Sequence, residues 1–218
     1  STALHLAERG INVTLLEARE IGFGASGRNG GQVIPGLKYD PDDMMKMYGQ
    51  ERGKQLIDFA GQTADPVFDL INKFNMDVPH LRHGWIQGAH TQAALELANQ
   101  RAEQWGRYGA PVQYLDKQQT QSLLGTERYL GGWVDKRAGT VQPLSYVRGL
   151  ARAAISKGAK VYTDSPVESL FQQNGKWSVQ TSNGAVVTCE RVVMCTNAYG
   201  GDLWPKLKTT IIDANTFQ

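Results

Sequence analysis

The chain has 218 residues, of which 41% are hydrophobic and 20% are charged, an ordinary composition for a soluble globular protein. Its formal net charge of +2 at pH 7 gives no reason to expect a nucleic-acid partner or a polybasic membrane contact. No stretch approaches about 18 consecutive apolar residues, and the first residues lack a basic region followed by an apolar core. We therefore expect no transmembrane segment, no signal peptide and a cytoplasmic location.

The first elements in the chain are a predicted helix and a predicted strand. Ser1 to Arg9 has an apolar stripe at helical spacing, and Gly10 stands where a helix stop belongs. Ile11 to Leu16 is a mostly apolar run, typical of a strand in a sheet that is covered on both faces. Helix, turn and strand form the second half of a βαβ unit. A parallel crossover also needs a first strand, so we expect that strand to lie outside this sequence.

An acidic residue, Glu17, follows the predicted strand directly. In a dinucleotide-binding βαβ unit, an Asp or Glu at the end of the second strand accepts hydrogen bonds from a ribose, and it favours a free 2′-hydroxyl over a 2′-phosphate. The pattern therefore predicts that Glu17 binds ribose. An ordinary strand-end carboxylate is the alternative.

The next stretch is a loop with five glycines between Gly22 and Gly31. Glycine permits positive φ and a close approach of backbone to a ligand. Ser26 and Asn29 add hydrogen-bonding groups, and Arg28 adds a fixed charge. The loop is therefore predicted to contact a large planar or phosphate-bearing ligand. A plain flexible connector is the alternative.

The middle of the chain, residues 41–139, is predicted to mix amphipathic helices with short strands. We interpret it as a substrate-side insertion. The first predicted helix runs from Pro41 to Ala60, and a second begins after a break or first turn at Pro66. The third covers Thr91–Tyr108 and stops at Gly109, and the fourth runs from the Asp116 cap to Leu124. The predicted strands are Trp85–Gly88, Val112–Leu115 and Gly132–Val134.

The last third begins with a helix from Pro143 to a stop at Gly158 and ends in strands. The dipeptides Asn174-Gly175 and Asn183-Gly184 are strong hairpin signals, so three strands are predicted to form a β-meander. The predicted strands are Val161–Thr163, Val167–Gln172, Lys176–Thr181, Ala185–Cys189 and an apolar final strand, Arg191–Asn197.

The cysteines and histidines give no metal signal. Cys189 and Cys195 lack CxxC spacing and fall in predicted strands, so we interpret them as buried, reduced thiols. His80 and His83 are three residues apart, but no further Cys or His pair completes a site.

With these residues in view, the chain resembles the flavin-dependent amine oxidases of the D-amino-acid oxidase and glycine oxidase superfamily. The resemblance is closest to the bacterial gamma-glutamylputrescine oxidases, which carry nearly the same run as Leu16 to Gln32. The Gly-Ala-Ser-Gly-Arg-Asn-Gly-Gly loop is its most specific part. The matching segments are the helix Thr2–Gly10, Gly139–Leu144 with the helix after it, Gly158–Val161, Pro166–Val167, and Val192–Ala198 followed by Tyr199–Trp204.

The resemblance implies a set of FAD contacts. Glu17 would bind the adenosine ribose, Ala18 and Arg19 would lie near the adenine, and Val167 would offer its backbone to the adenine, with a core valine as the alternative. The segment that passes along the pyrophosphate and the flavin would be Ser26, Gly27, Arg28, Asn29, Gly30, Gly31 and Gln32, and the segment that returns the chain to the cofactor would be Thr196, Asn197 and Ala198.

The resemblance also implies a chemistry in which the flavin carries the reaction. The CH–NH group of an amine such as gamma-glutamylputrescine would be oxidised with O2, giving an aldehyde, ammonia and H2O2. The protein would supply position and electrostatics. No catalytic acid or base is therefore nominated, and Tyr48, His83, Trp85 and His90 are interpreted as core or surface residues.

Together these inferences predict an α/β flavoprotein with an α+β substrate part. Residues 1–40 and 140–218 would form an incomplete Rossmann-like FAD domain with a β-meander, and residues 41–139 a partial substrate domain. The enzymes of this superfamily are considerably longer and begin with a strand and a glycine-rich turn, so we expect this piece by itself to bind FAD weakly or not at all and to be inactive.

Three alternatives stay open. The first is a sarcosine or glycine oxidase, or a D-amino-acid dehydrogenase that passes electrons to a quinone. The second is an inactive fragment that only self-associates through open strand edges. The third is a nicotinamide-binding Rossmann protein, which the meander and the glycine loop disfavour.

Overall fold

The computed structural model describes residues 1–212 and 214, so residues 213 and 215–218, at the end of the predicted FAD segment 140–218, lie outside the described residues. The chain forms two compact units, one made of residues 1–30 and 150–218 and the other of residues 31–149. That division is geometric, and the assignment of a FAD part and a substrate part stays a prediction. None of the described helices is both long enough and apolar enough to cross a bilayer.

The elements follow one another in a mixed α/β order, as the sequence predicts. The helices are α1 (Thr2–Glu8), α2 (Ala25–Arg28), α3 (Pro41–Gly61), α4 (Asp65–Lys73), α5 (Gln92–Arg107), α6 (Lys117–Leu124) and α7 (Pro143–Ser156). The strands are β1 (Thr14–Leu16), β2 (Gln32–Val33), β3 (His80–Leu81), β4 (Trp85–Ala89), β5 (Val112–Leu115), β6 (Gly131–Asp135), β7 (Gly139–Val141), β8 (Lys160–Tyr162), β9 (Val167–Gln173), β10 (Lys176–Thr181) and β11 (Val186–Cys189).

The first unit contains a parallel strand pair and an antiparallel meander. Strand β1 pairs in parallel with β8, with Leu15 opposite Val161. Strands β9, β10 and β11 form an antiparallel sheet in the order β11-β10-β9. Asn174 and Gly175 both have positive φ, at 51° and 76°, as a two-residue turn that matches the strand twist requires. The predicted meander is confirmed.

One predicted strand is wrong. Residues 191–196 form no strand, and Asn197–Gly200 forms a short 3-10 helix instead. The side chains of 191–196 still alternate between exposed and half-buried, as in a strand. A ladder needs a neighbouring backbone, and none of the described residues provides one to this segment. Cys195 is exposed and Cys189 is half-buried, so the expectation that both thiols are buried is wrong for both residues.

The second unit is built on a three-stranded antiparallel sheet, β4-β6-β5, and a smaller sheet, β2-β7-β3. Helices α3 and α5 cover one face of the larger sheet, with Ile57, Trp105 and Trp133 in the shared core. The Thr91 side chain accepts a hydrogen bond from the Ala94 N–H (3.2 Å), which fixes the start of α5. The predicted strands and helices of this unit are confirmed within a residue or two of their bounds.

Helix α3 has a break that the sequence analysis did not predict. Gly49 has φ 74° and ψ 178° inside the helix. Positive φ is readily available to glycine alone, and the axis turns at this residue. By contrast, Pro66 lies in the first turn of α4, where its missing N–H leaves no helical hydrogen bond unmade.

Candidate functional site

The predicted ribose acid, Glu17, lies directly after β1 and is half-buried. Its backbone N–H donates to the Tyr162 carbonyl (2.9 Å), which continues the pairing of β1 with β8. Its Oε1 accepts a hydrogen bond from the Arg19 N–H (3.0 Å). The carboxylate is therefore oriented by its own turn, and its half-exposed position leaves it accessible to a ligand.

The turn that precedes β9 is attached to the Glu17 turn by backbone hydrogen bonds. Ser165 donates to the Glu17 carbonyl (2.9 Å), and Asp164 donates to the Arg19 carbonyl (3.1 Å). Val167, the first residue of β9, follows two residues later and is half-buried. The structure therefore brings three of the predicted adenine and ribose contacts, Glu17, Arg19 and Val167, into one region of the first unit.

The glycine-rich loop is partly ordered rather than a plain connector. Residues Ala25–Arg28 form one helical turn, α2, which begins after Gly24. The Asn29 side-chain amide donates to the carbonyls of Ala25 and Ser26 (3.1 Å each) and closes that turn. Asn29 thus has a structural role in addition to its predicted one. Ser26 and Arg28 remain exposed.

Phe23 joins the two predicted binding stretches, and sequence reasoning did not nominate it. The Arg28 guanidinium lies 4.6 Å from the centre of the Phe23 ring, and the Arg19 guanidinium lies 5.5 Å from it. The ring itself is 48% exposed. Contacts of this kind orient two cations on one surface. The available sequence signal was an aromatic residue between two arginines, four residues before it and five residues after it.

Tyr199 connects the glycine loop to the predicted C-terminal contacts, and it was also missed. A Cβ built on Gly24 would lie 3.1 Å from the Tyr199 ring, so the ring packs closely on this glycine. The Tyr199 N–H donates to the Thr196 carbonyl (2.9 Å). Thr196, Asn197 and Ala198 therefore lie beside the start of the loop. Asn197 has φ 48°, a conformation that asparagine tolerates better than most residues.

Two of the predicted residues belong to the second unit. Gly31 is buried with φ 70°, and a Cβ there would lie 2.0 Å from the Val141 carbonyl oxygen. Gln32 pairs with Thr140 in β2 and has an exposed side chain. Strand geometry alone is enough to require glycine at 31. Gly30 and Ala18 are exposed, and Gly27 is half-buried.

The cavity found in the first unit does not coincide with the predicted site. It has a volume of about 270 Å³ and is lined by apolar side chains: Leu170, Trp177, Val192, Met194 and Trp204. Tyr48, His83 and His90 are exposed, and Trp85 packs against the core of the second unit. Among the described residues, no cluster of three His, Cys, Asp or Glu could hold a metal ion.

The comparisons with known proteins agree with this class of fold. The chain belongs to the DAO family, described as "FAD dependent oxidoreductase", and the family model matches residues 1–215. FAD is the cofactor of this family. A "Probable oxidoreductase OrdL" of Haemophilus influenzae is 34% identical over 212 residues, which are 94% of this chain and 48% of that protein. The "Gamma-glutamylputrescine oxidoreductase" of Escherichia coli is 34% identical over 203 residues, 93% of this chain and 47% of that protein.

Solved structures show the same fold. The crystal structure of glycine oxidase from Geobacillus kaustophilus superposes with a TM-score of 0.74 at 21% identity. The match covers 95% of this chain and 54% of that one. The chain spans about half the length of the curated relatives it matches.

Proposed function

We propose that residues of the first unit hold the adenosine and pyrophosphate end of FAD. The observation that carries this proposal is the convergence of three segments on Phe23 and Gly24. The Glu17–Arg19 turn meets the loop at the Phe23 ring, and the segment from Thr196 meets it through Tyr199. Gly24 lies where the Tyr199 segment packs on the loop, and side chains able to bind hydroxyl and phosphate groups lie nearby. This combination suits a dinucleotide ligand.

The residues present fit the chemical groups of that cofactor. The oriented Glu17 carboxylate accepts hydrogen bonds from ribose hydroxyls. Arg19 and Arg28 place two positive charges beside one ring, where an anionic pyrophosphate is stabilised. The Val167 backbone would contact the adenine edge. Ser26, within α2, would offer its hydroxyl to a phosphate oxygen, whereas the Gly27 N–H already donates to the Gly24 carbonyl (3.1 Å) and would contribute only a close backbone approach.

The reaction we propose is oxidation of the CH–NH group of an amine similar to gamma-glutamylputrescine. When bound, FAD would supply the two-electron acceptor for the C–H bond next to the amine nitrogen and would pass the electrons to O2, which gives H2O2; hydrolysis of the imine by water would give the aldehyde and ammonia. The residues of this chain bind and orient the cofactor and carry no proton-transfer step. The substrate proposal rests on one relative, which is named a gamma-glutamylputrescine oxidoreductase.

The binding proposal is tested by comparing Glu17→Gln with Glu51→Gln in the full gene product. Glu17 ends β1, whereas Glu51 is an exposed residue of α3 in the other unit. We expect Glu17→Gln to weaken FAD binding about tenfold, the loss of one charged hydrogen-bond acceptor. Glu51→Gln should leave the affinity unchanged. Equal affinities for both variants, measured by flavin fluorescence quenching, would contradict the assignment of Glu17.

The 218-residue chain by itself should bind FAD weakly or not at all and should be inactive. Most of the predicted contacts are exposed, and they do not line the cavity found in the first unit. A ligand there would keep much of its surface in water, which limits affinity. A flavin absorbance spectrum with stoichiometric FAD in the purified chain would overturn this expectation.

The substrate proposal is tested by a panel on the full gene product with FAD. Gamma-glutamylputrescine, sarcosine, glycine and a D-amino acid are compared, with O2 uptake measured beside the reduction of an artificial dye. We expect the largest kcat/KM for gamma-glutamylputrescine, with O2 as the acceptor. Faster turnover of sarcosine or glycine would indicate an oxidase of the alternative type. Dye reduction without O2 uptake would indicate a dehydrogenase.

We also propose that residues 191–196 favour self-association of the isolated chain. The side chains of the segment alternate between exposed and half-buried, no described strand pairs with it, and Val193 is 63% exposed. An open, apolar strand edge is a template for pairing with another chain. Size-exclusion chromatography with light scattering should give a mass above 24.0 kDa that falls to 24.0 kDa in Val193→Lys. A concentration-independent mass of 24.0 kDa for the unchanged chain would refute the idea.

A further inference from the structure

The open face of the β4-β6-β5 sheet in the second unit carries a cleft of about 570 Å³. Helices α3 and α5 cover the opposite face, on which Trp85 and Trp133 lie. On the cleft side, Ile86, Val134 and Gln113 stand in one cross-strand row, since Ile86 and Gln113 are both paired with Val134. The cleft has the size of a small-molecule site.

The lining of the cleft is apolar in the middle. Ile86 and Val134 form its floor with Leu115, which lies one row further along the sheet, level with Gly132. The wall is formed by α6, which contributes Gln119, Ser122 and Leu123 at the i, i+3 and i+4 spacing of one helix face. The Leu123 side chain is 59% exposed, and covering it with an apolar ligand would be favourable.

Positive charge is concentrated at one end of the cleft. Arg82 and His83 precede β4, and Lys136 follows β6 directly, so all three lie where β4 begins and the antiparallel β6 ends. None of the lining residues is acidic. Gly84, with φ 100°, lets the turn pass close to the end of β6, since a Cβ there would lie 3.2 Å from Val134 Cγ2.

The three cationic or titratable side chains have different roles. Arg82 is already engaged: its guanidinium pairs with Asp65, donates to the Arg137 carbonyl (3.0 Å) and lies over the Phe68 ring. Lys136, in contrast, is exposed and forms no ion pair with any described residue. Its ammonium is the charge available to an anion, with the exposed His83 ring beside it.

We propose that this cleft binds a small carboxylate that carries a short apolar chain. The carboxylate pairs with Lys136, and the chain lies over the Ile86–Val134 row toward Leu123. Adjacent rows on one face are about 7 Å apart, so a chain of five or six carbons reaches from the cationic end to the apolar wall. A phosphate has the matching charge but cannot use the apolar floor.

The test is an NMR titration of the protein with three probes: hexanoate, hexylammonium and inorganic phosphate. We expect hexanoate alone to give saturable shifts of the backbone amides of Ile86, Gln113 and Val134. Shifts of equal affinity with hexylammonium would overturn the proposal, because the site would then be merely apolar. Saturation by phosphate at lower concentration than hexanoate would overturn it too, as would the absence of saturable shifts with hexanoate.

A matched pair of variants tests the role of Lys136. Lys136→Gln removes the charge at the cleft, and Lys117→Gln removes an exposed charge from α6 that does not line the cleft. We expect Lys136→Gln to weaken hexanoate binding about tenfold, the value of one charge-assisted hydrogen bond. Lys117→Gln should leave the affinity unchanged. Equal affinities for the two variants would contradict the assignment of Lys136, and unchanged amide spectra far from the cleft would confirm that both are folded.

Discussion

Two extended segments, one in each unit, show how differently similar sequences are used. All five residues of β6 are buried, and the strand is paired on both sides by β4 and β5. Residues 191–196 are at least as apolar, yet no described strand pairs with them, and alternate side chains along the segment are exposed. Apolar, β-branched sequence makes a segment able to form a strand, but only a neighbouring backbone makes it one.

The largest expected effect on stability concerns the ion pair between Asp135, the last residue of β6, and Arg137. Asp135 is 1% exposed, and its carboxylate accepts two hydrogen bonds from the Arg137 guanidinium and one from the Arg137 backbone N–H. The guanidinium also lies over the Trp105 ring. Asp135→Ala would leave the Arg137 guanidinium without its carboxylate partner, which should lower the free energy of unfolding by about 3–5 kcal/mol. Urea unfolding followed by circular dichroism measures it.

The exposed pair Lys54–Asp58 on α3 is the control for that measurement. Asp58→Ala should change the free energy of unfolding by about 0–1 kcal/mol, because both side chains are solvated. Equal losses in Asp135→Ala and Asp58→Ala would show that burial does not distinguish the two pairs.

A core truncation should have the next largest effect. Ile57 is 1% exposed and packs in the core shared by α3 and α5, so Ile57→Ala should lower the free energy of unfolding by about 2–5 kcal/mol. Val193→Ala, in the unpaired segment of the other unit, should change it by about 0.5 kcal/mol or less. Similar midpoints for the two variants in the same urea series would indicate that residues 191–196 are covered in solution.

Removal of the α6 cap should have a smaller effect. The Asp116 side chain accepts from the Gln119 N–H (2.8 Å), and the Gln119 side chain accepts from the Asp116 N–H (3.1 Å). Asp116→Ala should destabilise the protein by about 1 kcal/mol. Thermal unfolding compared with Lys117→Ala measures it, since Lys117 lies in the same turn outside this capping box. A Tm equal to that of Lys117→Ala would contradict the role of the cap.

The smallest predicted effect is a pH dependence at alkaline pH. Burial raises the pKa of the Tyr146 phenol, which packs against the core that contains Phe68 and Val141. The folded state therefore keeps the phenol neutral, and stability is lost as the pH rises from the unfolded value of about 10 through the folded pKa. Tyr146→Phe should flatten this fall, measured as the urea midpoint against pH. Tyr162→Phe, at a half-exposed residue of β8, should not; equal flattening would contradict the role of burial.

The strongest local signals were sufficient to predict the elements that carry them. The Asn174-Gly175 turn, the Asp116 cap with the Gly125 stop, and Pro66 in a first helical turn act within a few residues, so no distant partner can overrule them. The carboxylate follows the end of β1 as predicted. The strand itself is shorter than the predicted Ile11–Leu16, since only Thr14–Leu16 form it and none of the three is buried, so the expectation of a strand covered on both faces is wrong.

The contacts that join the candidate site were beyond sequence reasoning. Phe23 and Tyr199 carry no motif, and their roles depend on which segments meet: Arg19 with Arg28 at one ring, and Gly24 with the other. The same limit explains Gly31, whose place in the glycine loop predicted a ligand contact and whose packing against Val141 is enough to require glycine.

The sequence by itself determined the class of protein: a mixed α/β chain with an acid after its first strand, a glycine-rich loop and a β-meander, a combination that the family match bears out. Local hydrogen bonds and chain stiffness fix such features, so they are visible in the order of residues. Tertiary structure alone decided which apolar strand is buried, which cysteine is exposed and which side chains meet at the loop. Those outcomes depend on contacts between residues far apart in the chain, and such contacts follow from the packing of whole elements.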